Sequence, residues 1–159
     1  MRSRTANWYE CTVRYERQIE DGMTKKVNEL YVVDALSFGE AEEAITREMT
    51  AYVSGEFEVK NINPAAYHEI FFSENANDDR WYKAKLSFIT IDEKTEKEKR
   101  SSVNYLFQAG TMNGAMKNIE EGMGGTMIDY SIASVQETQL MDVFEYKKPE
   151  KNDKPEFEQ

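Results

Sequence analysis

Two tryptophans stand 73 residues apart, each opening a β-like alternation: Trp8-Tyr9-Glu10-Cys11-Thr12-Val13-Arg14-Tyr15 and Trp81-Tyr82-Lys83-Ala84-Lys85-Leu86-Ser87-Phe88. In a strand, successive side chains point to opposite faces. Tyr9, Cys11, Val13 and Tyr15 mark the core face of the first strand, which puts Trp8 on the polar face with Glu10, Thr12 and Arg14. By the same reading Trp81 shares a face with Lys83, Lys85 and Ser87. A pair of outward indoles with Arg14, Lys83 and Lys85 beside them is equipment for holding a single-stranded nucleic acid. Bases would stack on the indoles, each stack contributing about 1–3 kcal/mol, and the cations would touch phosphates. The competing assignment is structural: each indole covers the edge of the other half's sheet or the base of the connector between halves.

Other chemistry-bearing residues point to packing. His68 is the only histidine, and it has neither the Cys and His partners of a metal site nor those of a catalytic triad. Cys11 is the only cysteine; it falls within an apolar alternation and reads as a small buried residue, with no disulfide framework and no thiolate cluster. Glu40, Glu42 and Glu43 belong to the first turns of a helix, where the helix dipole favours negative charge. The glycines of Gly122-Met123-Gly124-Gly125 follow a helix rather than a strand, so they end an element instead of cradling a phosphate. The sequence assigns no catalytic residue, no metal ligand and no cofactor.

The elements that position these residues repeat. At an offset of 73, Val13 and Tyr15 fall on Leu86 and Phe88. At an offset of 74, Tyr31, Ala35, Ala41, Ile45 and Met49 fall on Tyr105, Ala109, Ala115, Ile119 and Met123. The offset then returns to 73, where Phe57, Val59, Ile70 and Phe71 meet Tyr130, Ile132, Val143 and Phe144. Within the first copy, Trp8 to Gln18 and Lys26 to Ala35 read as a hairpin around Glu20-Asp21-Gly22. Ser37-Phe38-Gly39-Glu40 has the form of a capping box. Phe38, Ala41, Ile45, Met49 and Tyr52 follow at helical spacing. Strands return from Glu56 to Asn63 and from Tyr67 to Phe72. The second copy follows the same plan, with Thr111 as cap, a helix weakened by glycine, a long charged hairpin loop over Asp92–Arg100, and strand character from Asp129 onward.

The expected fold is therefore α+β: a tandem duplication of a β-β-α-β(β) unit, antiparallel sheets with one helix packed per unit, the halves related by a pseudo-two-fold. Its expected layout is a flexible arm (1–7), a first unit (8–73), a connector (74–80), a second unit (81–146) and a disordered tail (147–159).

Twenty basic residues against 30 acidic give a net charge of −10. That balance opposes avid, non-specific nucleic-acid binding, which depends on neutralising phosphates. It suits an acidic protein-interaction module, an inhibitor or adaptor docking on a basic partner surface. The N-terminus lacks the apolar stretch of a signal peptide, and no apolar run is long enough for a bilayer, so the expectation is a soluble, cytoplasmic protein without a membrane partner. The sequence assigns no oligomeric state.

By length, the twin Trp-Tyr strand openings, the Ser37-capped helix and the short polar tail, the chain resembles an uncharacterised family of small bacterial and phage proteins, domain-of-unknown-function family four-four-nine-four. The resemblance implies a phage or mobile-element setting and carries no functional residues with it. Together these readings lead to a non-catalytic binding module. Single-stranded nucleic acid, or an accessory role in DNA metabolism, is the first candidate; the acidic interaction module is the second.

Overall fold

The computed structural model describes residues 1–145; Tyr146 and the tail expected at 147–159 lie outside the described residues. Alternating apolar positions make long strands of the first segments. β1 (Arg2–Arg4) precedes β2 (Trp8–Gln18) and β3 (Thr24–Asp34), which close a hairpin through a tight turn at Glu20–Gly22. Asp21 and Gly22 both adopt positive φ there, 68° and 74°. Helix α1 (Phe38–Tyr52) follows, then β4 (Phe57–Ala65) and β5 (Glu69–Phe72). The second half runs β6 (Arg80–Ile91), β7 (Glu98–Ala109), α2 (Met112–Gly122), β8 (Tyr130–Glu137) and β9 (Leu140–Phe144).

The helix starts obey local chemistry. The Ser37 hydroxyl accepts the Glu40 amide at 3.2 Å, and the Glu40 carboxylate reaches back to the Leu36 amide at 3.3 Å, one residue beyond the expected partner. Thr111 caps α2 through the Gly114 amide at 3.0 Å. With no glutamate at that position, nothing reciprocates, and α2 is 11 residues long against 15 for α1.

Two helices and two mixed sheets make an α+β architecture. One sheet has the order β4-β2-β3-β9 and the other β1-β5-β7-β6-β8. Each sheet thus borrows a strand: β9 from the second half runs parallel to β3, and β5 from the first half runs parallel to β7. The expected antiparallel sheets are mixed for this reason. A hairpin strand returns beside its neighbour, whereas an exchanged strand enters the other sheet in the direction its crossover dictates.

The core is layered. Cys11, Val13, Tyr15, Tyr31 and Val33 of the first sheet pack under Ala41, Ala44, Ile45 and Met49 of α1. Phe71, Ala84, Leu86, Tyr105 and Phe107 of the second pack under Ile119 and Met123 at the α2 side. Between the two sheets lie Trp8, Val32, Leu140 and Val143 from one and Ile70, Phe72, Trp81 and Leu106 from the other.

The arm expected to be loose is a strand. Arg2, Ser3 and Arg4 pair with Phe72, Phe71 and Ile70 of β5. Their side chains explain the order: Arg4 pairs with Asp34 at 2.5 Å and with Glu145 at 3.1 Å, and Arg2 also pairs with Glu145. The Arg2 guanidinium lies 4.1 Å above the Phe72 ring. Because Asp34 ends β3 and Glu145 directly follows β9, both of the other sheet, β1 clamps one sheet to the other. Burial alone would raise the Glu145 carboxyl, but hydrogen bonds and charge from Arg2 and Arg4 hold it below its ordinary value.

Gly122 belongs to the packing as well as to the helix end. A Cβ there would come within 2.8 Å of a Phe71 ring carbon and 3.0 Å of a Phe107 one, and those two rings are stacked with centroids 4.3 Å apart. In an unconstrained helix, Gly→Ala gains roughly 1 kcal/mol. Here overpacking, typically about 1–3 kcal/mol, should reverse the sign, so Gly122→Ala should lower the urea midpoint. A gain in stability would contradict this packing. Trp81→Ala, which empties the layer between sheets, should cost about 3–5 kcal/mol in the same experiment.

Candidate functional site

The five residues with a predicted binding role do not form one surface. Trp8 and Trp81 do lie on the faces the alternation gives them, opposite the helices, but that face is covered by the other sheet: each is 2% exposed. This corrects the expectation of outward indoles. A half-buried single sheet would leave the second face to solvent, whereas here two sheets meet at the Trp ends of their strands. Trp81 packs edge-on against Phe72, centroids 5.6 Å apart, and the Arg4 guanidinium sits 5.8 Å from the Trp8 ring. Neither indole face is available to a base.

Lys83 and Lys85 stand two residues apart on β6, and Arg14 lies on β2 of the other sheet. Lys83 lines a recess of about 200 Å³ with Glu10, Tyr67 and Asn104, between the sheets. There burial, reinforced by the charge of Glu10, pushes the Tyr67 hydroxyl up to about 12. Lys85 is exposed on β6. Arg14 lines a separate and larger cleft.

That cleft, about 870 Å³ and open to solvent, is built from the far ends of β2 and β3, the start of β4 and the residues after α1. Val53 stops the helix there, its amide still bonded to the Met49 carbonyl at 2.8 Å, and Ser54-Gly55 turns the chain toward β4. Arg14, Tyr15, Glu16, Arg17, Lys26, Tyr52, Glu56, Phe57 and Glu58 supply its chemistry. Tyr52 is exposed and meets Tyr15 edge-on, centroids 6.5 Å apart.

Behind this wall sits a feature that sequence reasoning passed over. Glu29 lies on the α1 face of β3, 6% exposed, two residues from Tyr31 in an apolar alternation. Its carboxylate accepts the Tyr31 hydroxyl at 2.9 Å and pairs with Arg17 at 3.4 Å. A buried carboxylate needs such partners. The signal was present as a charge at a core-face position of a strand. At the matching place in the second sheet, Val103 pairs with Leu86 as Glu29 pairs with Val13, so the polar cluster belongs to the first sheet alone.

Burial, and then the Glu29 hydrogen bond and charge, push the Tyr15 hydroxyl up to about 12 and that of Tyr31 further in the same direction. Such phenols donate hydrogen bonds and are poor proton acceptors at neutral pH. The buried Cys11 thiol is likewise raised, to about 12, by burial and by Glu10, which leaves little thiolate at neutral pH. His68 is exposed and stands edge-on to Tyr105, with its backbone amide on the Asn104 carbonyl. Among the described residues, no group of three or more His, Cys, Asp or Glu is placed to hold a metal ion. The cleft presents carboxylates and cations at its rim, hydroxyls, and an exposed aromatic ring.

Residues 7–146 match a family described as Domain of unknown function (DUF4494). The chain belongs to that family. Neither a curated protein nor a solved structure matches the DUF4494 chain. Among its described residues, no helix is long and apolar enough to cross a membrane.

The phenol shifts have a testable sign. A hydroxyl whose folded pKa is raised favours the neutral form, so its stabilisation is present below the ordinary value of 10.0 and is lost as pH rises toward about 12. Absorbance titration should show Tyr15 and Tyr31 ionising only in that alkaline range, with loss of the fold. Glu29→Gln, which removes the charge that opposes the phenolates, should bring their ionisation to lower pH. Titration of every tyrosine near the ordinary value would refute the cluster.

Proposed function

We propose that this DUF4494 protein is a non-catalytic protein-interaction module that docks on a basic surface of its partner. The observation that carries this reading is the burial of both indoles. The stacking platform required by the nucleic-acid reading is enclosed, and Arg14 lies on a different sheet from Lys83 and Lys85, while α1 adds exposed carboxylates beside a cleft whose lining sets three carboxylates against three cations. Glu42 and Glu43 are exposed on α1, and Glu16, Glu56 and Glu58 are exposed at the cleft. Arg17, which faces the same cleft, has Glu29 as a partner, and Glu58 has Lys60 at 3.9 Å, an exposed pair that an incoming cation would have to displace. A lysine- or arginine-bearing segment laid across this rim would pair with Glu56 and Glu58. A guanidinium could also rest on the exposed Tyr52 ring, an interaction contributing about 0.5–1 kcal/mol at exposed sites. Steering by the acidic surface would speed the encounter.

The resemblance supports a phage or mobile-element setting, and we take the cytoplasm as the compartment. We also read the halves as copies of one duplicated unit about a pseudo-two-fold. Three features support this. The strand orders β4-β2-β3-β9 and β8-β6-β7-β5 correspond. Ser37 and Thr111 cap equivalent helices. Each edge strand paired to the opening hairpin strand carries one extra residue, Lys60 in β4 and Ala133 in β8.

The test is fluorescence anisotropy with a labelled arginine- and lysine-rich peptide and, separately, a labelled single-stranded oligonucleotide. The peptide should bind saturably, lose affinity as salt rises, and bind more weakly to a Tyr52→Ala/Glu56→Gln/Glu58→Gln variant. Saturable oligonucleotide binding without peptide binding would restore the nucleic-acid reading. Peptide binding indifferent to salt and to the variant would overturn this one.

A further inference from the structure

The outer edges of the two sheets are not treated alike. β4 carries Glu58, Lys60 and Pro64, with Lys60 at its bulge. Both β4 and β8 carry a bulge, but only β4 adds the charges and proline that keep an edge from pairing with another chain. β1 has only three residues, two of them Arg, and β9 is five residues long and holds Asp142. β8 differs from all three. Its eight residues, Tyr-Ser-Ile-Ala-Ser-Val-Gln-Glu, are uncharged until the last, its bulge residue is Ala133, and among the described residues only β6 pairs with it.

The pattern of faces along β8 is self-complementary. Ile132 pairs with Leu86 and Ser134 with Lys85, so Ala133 is an extra residue. Tyr130, Ile132 and Val135 all pack toward the α2 side, while Ser131, Ser134 and Gln136 are exposed. Without the bulge, Ile132 and Val135 would face opposite ways. With it, the α2-side positions Tyr130, Ile132, Val135 and Glu137 read the same from either end of the strand. A two-fold axis perpendicular to the sheet keeps each face on its own side, and with the extra residue the β8 pattern places that axis between Ala133 and Ser134.

We infer that β8 is a homodimerisation edge that pairs antiparallel with β8 of a second copy, joining the two sheets into one. Ile132 then meets the partner's Val135, Ser131 the partner's Gln136, and Tyr130 the partner's Glu137. The occupant is a second copy because the edge is complementary to itself in face, in hydrophobicity and in the absence of charge. Like charges therefore do not meet along most of its length even though each chain carries −10. Met127 and Ile128, 96% and 48% exposed just ahead of β8, come to lie beside the partner's Thr138 and Gln139 end.

Sedimentation equilibrium of the full chain, from low micromolar to near-millimolar concentration, tests the inference. The wild type should show a monomer–dimer equilibrium. Ala133→Lys should be monomeric with an unchanged circular-dichroism spectrum, and Lys60→Ala should dimerise as the wild type does. Because a charged substitution can also damage the sheet, the register is tested independently with Ser131→Cys/Gln136→Cys, which should cross-link as a dimer on mild oxidation while the buried Cys11 stays reduced. A wild type monomeric throughout the range would overturn the proposal. So would a dimer that survives Ala133→Lys and whose paired cysteines do not cross-link.

Discussion

The layer between the two sheets is the constraint on which the rest of the structure depends. It is made by strands of both halves, and the borrowed strands contribute half of its buried residues: Ile70 and Phe72 from β5, Leu140 and Val143 from β9. Trp8 and Trp81 open the strands that anchor each sheet. A large aromatic side chain buries about 150–250 Å², so each indole contributes roughly 4–6 kcal/mol of gross burial energy at about 25 cal/mol per Å². Arg4, spanning Asp34 and Glu145, ties the sheets at one margin. Farther along, where the facing residues are Glu10, Lys83 and Asn104, the interior gives way to a polar recess.

How much of this was legible depended on whether the determining contact was local. The hairpins, the Ser37 and Thr111 caps and the α1 face all follow from spacing within about 15 residues, and the structure shows each of them. The side of the strand occupied by the tryptophans was legible too. What covers that side was not, because polar neighbours such as Glu10 and Arg14 resemble those of a solvent face even when the strand begins inside a sandwich. The pairing of β9 with β3 and of β5 with β7 leaves no local trace, since parallel neighbours arrive through long crossovers.

The same distinction explains the site. Arg2 and Arg4 looked like residues of a loose arm because their partners Glu145 and Asp34 lie distant in sequence. Gly122 looked like a helix defect because the stacked rings that need its missing side chain come from β5 and β7. Glu29 was the exception. A carboxylate on the core face of β3 was visible in the alternation, and its partner Tyr31 stood two residues away. Departures from an otherwise regular hydrophobic pattern are where function-bearing clusters are to be sought in such a chain.

Strand exchange also bears on the order in which the protein can be made. During vectorial synthesis the first sheet lacks β9 until the chain has been extended through Phe144, although its other three strands are complete at Ala65. β5 emerges long before β7, the strand it must lie against. Until then its apolar residues Ile70, Phe71 and Phe72 have only the three-residue β1 to pair with. Contacts of such sequence separation slow folding and prolong the exposure of sticky edges. The nascent first half therefore leaves the ribosome as an incomplete sheet beside a two-stranded fragment, β1 and β5, and its most vulnerable interval is set by translation of the second half.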